Sequence, residues 1–298
     1  MSRSAFTRSL FLTSRFVLTA GTLAPASAAE FKSERITVST EGTGTDVILI
    51  PGLGSSPRVW RELVRAVPGH RYHLVQVAGF AGHSRGQNVE GTVAAPVAEE
   101  IARYIAAQGL GRPAVVGHSM GGTIGLMLAG RHPNALSRLM VVDMLPFLGA
   151  MFGPPGTTAA SVKPTADAYI AQLRTADPVA RQARSAATID SMVDNVAMRP
   201  AALDDSLKSD PDVVARAFHE LIVTDLRPEL EKIAVPTTVL YVMTKTPGMT
   251  EAAIDGAYKA AYAPLKGATL KRIASSAHFI MWDQSQQFQS EVRQFLGK

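Results

Sequence analysis

Two patterns of apolar residues alternate along the chain. Short, nearly continuous apolar runs are typical of strands buried on both faces of a parallel sheet. They occur at 47–50, 73–77, 114–116, 139–142, 237–242 and 269–273. Longer segments with helical spacing separate them, at 57–67, 93–108, 122–132, 250–262 and 283–295. Polar and apolar residues alternate at 35–39, as in an edge strand. This order predicts an α/β fold, a doubly wound and mostly parallel sheet with helices on both faces.

The segment 146–228 has a different character from the rest of the chain. It contains a Gly-Pro-Pro-Gly turn and alanine-rich, helix-like stretches at 166–175, 178–195 and 210–223, without an apolar strand run. It follows a predicted strand end, the edge at which open α/β sheets bind ligands. We predict a helical cap inserted between core segments 30–145 and 229–298. A separate domain or a disordered insert is the alternative, and the amphipathic spacing argues against disorder.

The first 29 residues predict an export signal. Arg3, Arg8 and Arg15 precede a modest apolar stretch at 16–24, and the run 26–29 offers the small residues that a signal peptidase needs. The apolar stretch is too short for a membrane span. We therefore expect a periplasmic or secreted protein without stable membrane insertion after signal removal. A disordered or anchoring N-terminus is the alternative.

Composition narrows the range of function. The chain of 298 residues is 46% hydrophobic and contains no cysteine, which excludes a disulfide framework, an iron–sulfur cluster and thiol catalysis. The formal charge of +5 includes three arginines of the predicted signal, which holds no acidic residue. No basic cluster resembling a nucleic-acid footprint is present, so we expect no nucleic-acid partner.

The most informative motif is Gly117-His118-Ser119-Met120-Gly121, which reads G-x-S-x-G between a predicted strand and a predicted helix. A serine hydroxyl becomes a nucleophile when it projects from a sharp turn, meets a base and lies beside backbone N–H groups. Small residues two positions before and after the serine let strand and helix pass closely. We predict that Ser119 is the nucleophile.

His278 is the predicted general base. It lies in a loop after the last strand and before the last helix, and it follows the serine in the chain order that this motif requires. Three of the other histidines precede the serine, and two are assigned to capping or packing. His118 lies inside the motif, where we expect it to point away from the nucleophile.

Two positions compete for the acid that orients the imidazole. The loop after the strand at 237–242 holds no carboxylate, and the nearest ones, Glu251 and Asp255, lie within the next helix. Asp143 follows Val142 at the end of a buried strand, where a carboxylate is costly unless it is paired. We predict that Asp143 is the acid of the triad, with Glu251 as the second candidate. The alternative for Asp143 is that it only caps the turn that follows it.

Two backbone N–H groups are predicted to form an oxyanion hole. One belongs to Met120, directly after the nucleophile, and the other to Leu53 in the loop Pro51-Gly52-Leu53-Gly54. Glycines in this loop let the backbone approach a ligand.

With these motifs, the chain from about residue 33 onward resembles the α/β-hydrolase superfamily, in particular its capped serine esterases. The matching motifs are 51–54, 117–122, 225–230 before a Val-Pro strand, and 277–279. The resemblance implies the doubly wound fold, the cap and ester hydrolysis without a cofactor or metal. Two features depart from the family. Pro51 stands where His is usual, and the acid after the late strand is missing. Some members, notably haloalkane dehalogenases and certain esterases, carry it after the earlier strand instead.

The predicted substrate is a small uncharged ester, cleaved through an acyl-enzyme intermediate. A serine nucleophile counts against epoxide hydrolysis and dehalogenation, which need a carboxylate. The predicted pocket residues are apolar, namely Phe80, Phe147, Met151 and Phe279, with Leu53, Met120, Met144, Phe152 and Met281 as further candidates. A lactonase, a thioesterase or a carbon–carbon bond hydrolase with the same triad stays open. A non-catalytic binding protein on this fold is the alternative from another class.

Overall fold

The computed structural model describes residue 1 and residues 31–175, 177–243 and 248–297. The predicted export signal falls on residues 2–30 and lies outside the described residues. So do residues 244–247, most of the loop in which no carboxylate was found.

A sheet of seven strands forms the centre of the part of the chain that the structure describes. Its order is β1-β3-β2-β4-β5-β6-β7, with β1 antiparallel to β3 and every other neighbouring pair parallel. The strands are β1 Ile36–Gly42, β2 Thr45–Ile50, β3 His70–Val77, β4 Ala114–His118, β5 Arg138–Val142, β6 Thr237–Val242 and β7 Thr269–Ile273. The predicted fold class and the predicted edge strand are confirmed.

Helices cover both faces of the sheet. The core helices are α1 Arg61–Ala66, α2 Ala94–Ala107, α3 Met120–Arg131, α8 Glu251–Ala261, α9 Ile280–Asp283 and α10 Ser285–Leu296; the insertion holds α4 Ala159–Thr175, α5 Pro178–Met192, α6 Arg199–Lys208 and α7 Pro211–Val223. The helix predicted at 283–295 is present as α10, directly after the short helix α9; α9 and α6 were not predicted.

Side chains of consecutive strand residues enter two separate apolar layers. Ile48 and Ile50 pack on the side of α2 and α3, whereas Val47 and Leu49 pack on the side of α1 and α10. Successive side chains of a strand point to opposite faces, so a strand buried on both faces is apolar throughout. This is why the apolar runs were visible in the sequence.

The inserted helices α4–α7 lie between β5 and β6, as predicted. A buried carboxylate joins them to the core. Glu220 of α7 accepts hydrogen bonds from the N–H groups of Val93, Ala94 and Ala95 at 2.6, 2.6 and 2.8 Å, at the start of α2. A carboxylate is favourable there because the first N–H groups of a helix lack intrahelical partners. The boundaries assigned at 146 and 228 stay a prediction.

None of the helices in the described ranges is long and apolar enough to cross a bilayer.

Candidate active site

Ser119 occupies the sharp turn between β4 and α3. Its backbone has φ 52° and ψ −120°, a conformation that residues with a side chain rarely adopt. Surrounding hydrogen bonds hold it there. Ser119 N–H donates to the Val142 carbonyl at 2.9 Å, and the N–H groups of Gly122 and Thr123 donate to the Ser119 carbonyl at 2.7 and 3.2 Å. The turn leaves Ser119 partly exposed.

The glycines of the motif are required by the space around them. A Cβ on Gly117 would overlap the Gly121 carbonyl, and a Cβ on Gly121 would overlap the Ile50 carbonyl. Both glycines have ordinary φ values, so the requirement is close approach rather than backbone freedom. Gly117 therefore lets β4 and α3 cross closely, and Gly121 lets α3 approach the end of β2.

The contact predicted between Asp143 and His278 is present. His278 Nδ1 donates to Asp143 Oδ2 at 2.6 Å, with the side chains 20% and 10% exposed. Asp143 follows β5 with φ 51°, and its N–H donates to the Leu240 carbonyl at 2.7 Å. The other carboxylate oxygen, Oδ1, accepts from Val242 N–H at 3.1 Å and from Tyr258 O–H at 3.2 Å. Both oxygens of the Asp143 carboxylate therefore accept hydrogen bonds. The catalytic roles of Asp143 and His278 stay predictions.

The competing acids are bonded elsewhere. Glu251 accepts from Arg272 at 2.7 Å, and Asp255 accepts from Arg272 at 2.9 Å and from Tyr241 O–H at 2.9 Å. Arg272 lies on β7, next to α8, and its guanidinium group binds both carboxylates there. The geometry therefore favours Asp143 over Glu251 as the carboxylate that orients His278.

His118, which directly precedes Ser119 in the chain, has its ring centre 4.6 Å from that of His278. No hydrogen bond joins the Ser119 hydroxyl to the His278 ring among the residues described. Catalytic hydrogen bonds are often long in unliganded enzymes and tighten only when substrate is bound.

His118 contacts the predicted base, a role that was not foreseen. It is buried, its Nε2 donates to the His278 carbonyl at 3.0 Å, and the two ring centres are 4.6 Å apart. Burial, and then the nearby charge of His278, lowers the pKa of His118 well below its ordinary value of 6.5. A neutral His118 can support the His278 loop without adding a second positive charge. The position of His118 at the end of β4, directly before Ser119, was the available sequence signal.

The structure shows where the backbone segments of the two predicted oxyanion donors run. A Cβ on Gly52 would lie 3.1 Å from Ser119 Cβ, so the loop that continues into Leu53 passes against the serine. Met120 begins α3, and its N–H therefore has no intrahelical acceptor.

Residues of the inserted segment bind the loop 51–56, which contains the predicted oxyanion donor Leu53 and is called the oxyanion loop below. Asp205 of α6 accepts from Ser56 N–H at 2.9 Å and from Ser56 Oγ at 2.7 Å, while Ser209 Oγ donates to the Gly54 carbonyl at 3.2 Å. Burial raises the pKa of Asp205 above its ordinary value, although the hydrogen bonds from Ser56 oppose this effect. The cap thus contacts the same loop that supplies Leu53.

Of the four predicted pocket residues, Phe279 contacts the histidines of the site. Phe279 lies 4.8 Å from the His118 ring and stacks at 4.8 Å on Trp282. Phe80 and Phe147 are 0% and 2% exposed, packed in the core and under the cap, and Met151 is 57% exposed. Packing in the interior stabilises a phenyl ring irrespective of substrate, which accounts for the burial of Phe80 and Phe147. The pocket role of these residues stays a prediction.

The described part of the chain contains no group of three or more His, Cys, Asp or Glu residues that could hold a metal ion.

The site can support nucleophilic chemistry. An imidazole whose Nδ1–H donates to a carboxylate keeps its Nε2 free to accept a proton, and a serine on a strained turn beside backbone donors is arranged as a nucleophile.

The family model described as alpha/beta hydrolase fold matches residues 46–285, which is most of the chain. The chain belongs to the alpha/beta hydrolase fold family.

Two curated relatives of this alpha/beta hydrolase differ in how far they align. RutD of Yersinia enterocolitica, provisionally named a carbamate hydrolase, is 34% identical over 113 residues, which span 38% of this chain and only 41% of RutD. The pimeloyl-[acyl-carrier protein] methyl ester esterase of Vibrio cholerae is 28% identical over 212 residues, which span 67% of this chain and 76% of the relative.

Among solved structures, an esterase from Exiguobacterium antarcticum superposes with a TM-score of 0.73 at 20% identity, covering 88% of this chain and 96% of the esterase. At this identity the likeness concerns the fold alone. By the family match, the chain is a hydrolase of the alpha/beta hydrolase fold, and its distant relatives include esterases.

Proposed function

We propose that this hydrolase is a serine esterase that cleaves small uncharged esters through an acyl-enzyme intermediate. The observation that carries the proposal is the 2.6 Å hydrogen bond from His278 Nδ1 to Asp143 Oδ2, in a loop adjoining the strained Ser119 turn. A base oriented by a carboxylate and a nucleophile on a sharp turn form the arrangement that acyl transfer requires.

Acylation begins when Ser119 Oγ attacks the ester carbonyl carbon. The hydroxyl proton passes to His278 Nε2, and the Asp143 carboxylate stabilises the resulting imidazolium. The carbonyl electrons move to oxygen, and this oxyanion accepts hydrogen bonds from the N–H groups of Leu53 and Met120. Loss of one such donor costs about 3 kcal/mol in the transition state.

The tetrahedral intermediate then collapses. Its bond to the leaving oxygen breaks, and His278 returns the proton so that a neutral alcohol departs. His278 next removes a proton from water, the water oxygen attacks the acyl carbon, and Ser119 leaves with the proton. The products are an acid and an alcohol, and Ser119 is regenerated.

The surroundings support an uncharged substrate. Phe279, an apolar side chain, lies beside the paired rings of His118 and His278. The Vibrio cholerae relative is named for a methyl ester, which also supports an ester linkage. We further propose that the protein is exported, on the strength of the basic, apolar and small-residue segments at 1–29.

The test combines active-site labelling with a substrate series. Purified protein is treated with a fluorophosphonate probe, and hydrolysis of p-nitrophenyl esters of increasing acyl length is measured. Ser119→Ala should abolish labelling and lower kcat by up to roughly 10⁶-fold, since it removes the nucleophile and leaves the turn intact.

Ser290→Ala is the matched control, because Ser290 is an exposed residue of α10 and should label like the wild type. Labelling that persists in Ser119→Ala would assign the nucleophile elsewhere. A wild-type protein that neither labels nor hydrolyses any ester would favour the non-catalytic binding alternative.

A further inference from the structure

The Asp143 carboxylate carries a second set of hydrogen bonds besides the one to His278. While Oδ2 accepts from His278, Oδ1 accepts from Val242 N–H at 3.1 Å and from Tyr258 O–H at 3.2 Å. Val242 ends β6 and Tyr258 lies on α8. The oxygen turned away from the imidazole is therefore bound by one main-chain and one side-chain donor.

Tyr258 is the central member of a stack of three tyrosines. Its ring centre is 4.1 Å from that of Tyr241 and 6.3 Å from that of Tyr262, with interplanar angles of 16° and 12°. The three rings are almost fully buried. Packing from both sides holds the Tyr258 ring, and with it the hydroxyl, in one position.

The three hydroxyls of the stack reach three different acceptors. Tyr241 donates to Asp255 at 2.9 Å, and Tyr262 donates to the Met144 carbonyl at 2.6 Å. Only the Tyr258 hydroxyl, of these three, reaches the Asp143 carboxylate. The stack therefore supplies its own matched controls.

Tyr258 stays a neutral donor. Burial first, and the charge of Asp143 second, raises the pKa of the Tyr258 hydroxyl well above its ordinary value of 10.0. The hydroxyl thus keeps its proton and can donate throughout the pH range in which His278 would act.

We propose that Tyr258 is a positioning residue that sets the rotation of the Asp143 carboxylate. Rotation about the terminal torsion of an aspartate is broad, so the side chain alone does not decide which way its oxygens face. The two donors on Oδ1 restrict this rotation and direct Oδ2 toward His278. This inference rests on the proposed function, in which Asp143 orients the base.

The expected consequence of removing the hydroxyl follows from this geometry. Tyr258→Phe keeps the stacked ring but leaves Val242 N–H as the one remaining donor to Oδ1. The carboxylate then samples more orientations and shares less of its charge with the donors. We expect kcat to fall about 10- to 100-fold with KM within about twofold, the loss associated with a hydrogen bond to a charged group. The acidic limb of the pH profile should move to higher pH, because a less neutralised carboxylate favours the imidazolium.

The experiment compares Tyr258→Phe with Tyr241→Phe, which removes a neighbouring hydroxyl bonded to Asp255. Ester hydrolysis, the pH profile and Tm are measured for both. Tyr241→Phe should keep kcat within about twofold of the wild type. An equal loss of kcat in both variants, or an unchanged kcat and pH profile in Tyr258→Phe, would overturn the inference.

A double variant tests whether Tyr258 acts through Asp143. In an Asp143→Ala background, Tyr258→Phe should change the residual rate by less than about twofold, because the acceptor is gone. A further full loss of rate there would overturn the inference and assign a general packing role to Tyr258.

A spectroscopic readout separates this inference from the proposed function. The proton between His278 Nδ1 and Asp143 Oδ2 should give a far-downfield ¹H resonance, which we expect to shift or broaden in Tyr258→Phe and not in Tyr241→Phe. A resonance identical in all three proteins would overturn the inference. Absence of esterase activity with the expected spectral change would instead refute the proposed function alone.

Discussion

Replacing Asp143 by asparagine should lower kcat by about 10³- to 10⁴-fold. The structure dictates how the new amide is turned, because Oδ1 accepts hydrogen bonds from Val242 N–H and Tyr258 O–H. Only the amide oxygen can take that place, so the amide NH2 group faces His278 Nδ1. Nδ1 must then accept, which puts the ring proton on Nε2, the nitrogen that has to receive the proton of Ser119.

Two physical effects set the magnitude. The asparagine removes a negative charge about 4 Å from the imidazolium, an interaction of about 4 kcal/mol at an effective dielectric constant of about 20. That energy corresponds to about 10³-fold in rate. The unfavourable tautomer adds to this loss, and the same substitution in the best-studied serine triad costs about 10⁴-fold.

The assay is release of p-nitrophenol from a short-chain ester by the wild type and three variants. Glu251→Gln and Asp255→Asn are the controls, because both carboxylates pair with Arg272 rather than with His278. They should stay within about tenfold of the wild type. An unchanged Tm would show that Asp143→Asn folds. The reasoning fails if Asp143→Asn keeps activity within about tenfold of the wild type, or if Asp255→Asn is the more damaging change.

Two further predictions concern pH and export. Because the pKa of His118 is lowered in the folded protein, the unfolded chain binds a proton at this histidine at a higher pH than the folded protein does. The neutral, buried His118 therefore favours the folded state fully above about pH 6.5, and this contribution to the free energy of unfolding is lost as pH falls. His118→Asn, which keeps a donor for the His278 carbonyl, should therefore lose less Tm than the wild type between about pH 7 and pH 5; parallel curves would contradict this. Intact-mass analysis of protein recovered from the periplasm or medium of a secreting bacterium should find a chain that begins at Ala29 or Glu30; active protein that retains Met1 in the cytoplasm would contradict export.

Local sequence was sufficient for the sheet and the nucleophile turn. A strand covered on both faces has no polar side, so β2, β4 and β5 are visible as apolar runs. The motif at Ser119 is local, and Gly117 makes room for the crossing of β4 and α3. Gly121 makes room for the Ile50 carbonyl of β2, a contact between distant parts of the chain.

Helix boundaries in and near the cap were less predictable. Helix α6 buries only Ala202 and Asp205, so it has little apolar periodicity to detect. Its start is set by Pro200 in the first turn, and its end by Ser209, which bonds to the oxyanion loop. Contacts with the core, rather than an internal pattern, decide its extent.

The sequence by itself determined the sheet, the inserted helical region and the serine motif, but it left Asp143 and Glu251 both possible as the acid. Only the tertiary structure decided which carboxylate meets His278, because Arg272 on β7 pairs with Glu251 and Asp255. The supporting contacts of His118 with His278 and of Tyr258 with Asp143 join residues 160 and 115 positions apart. Hydrogen bonds at such separations create no periodicity in the chain, so they become visible only when folding brings the strand ends together.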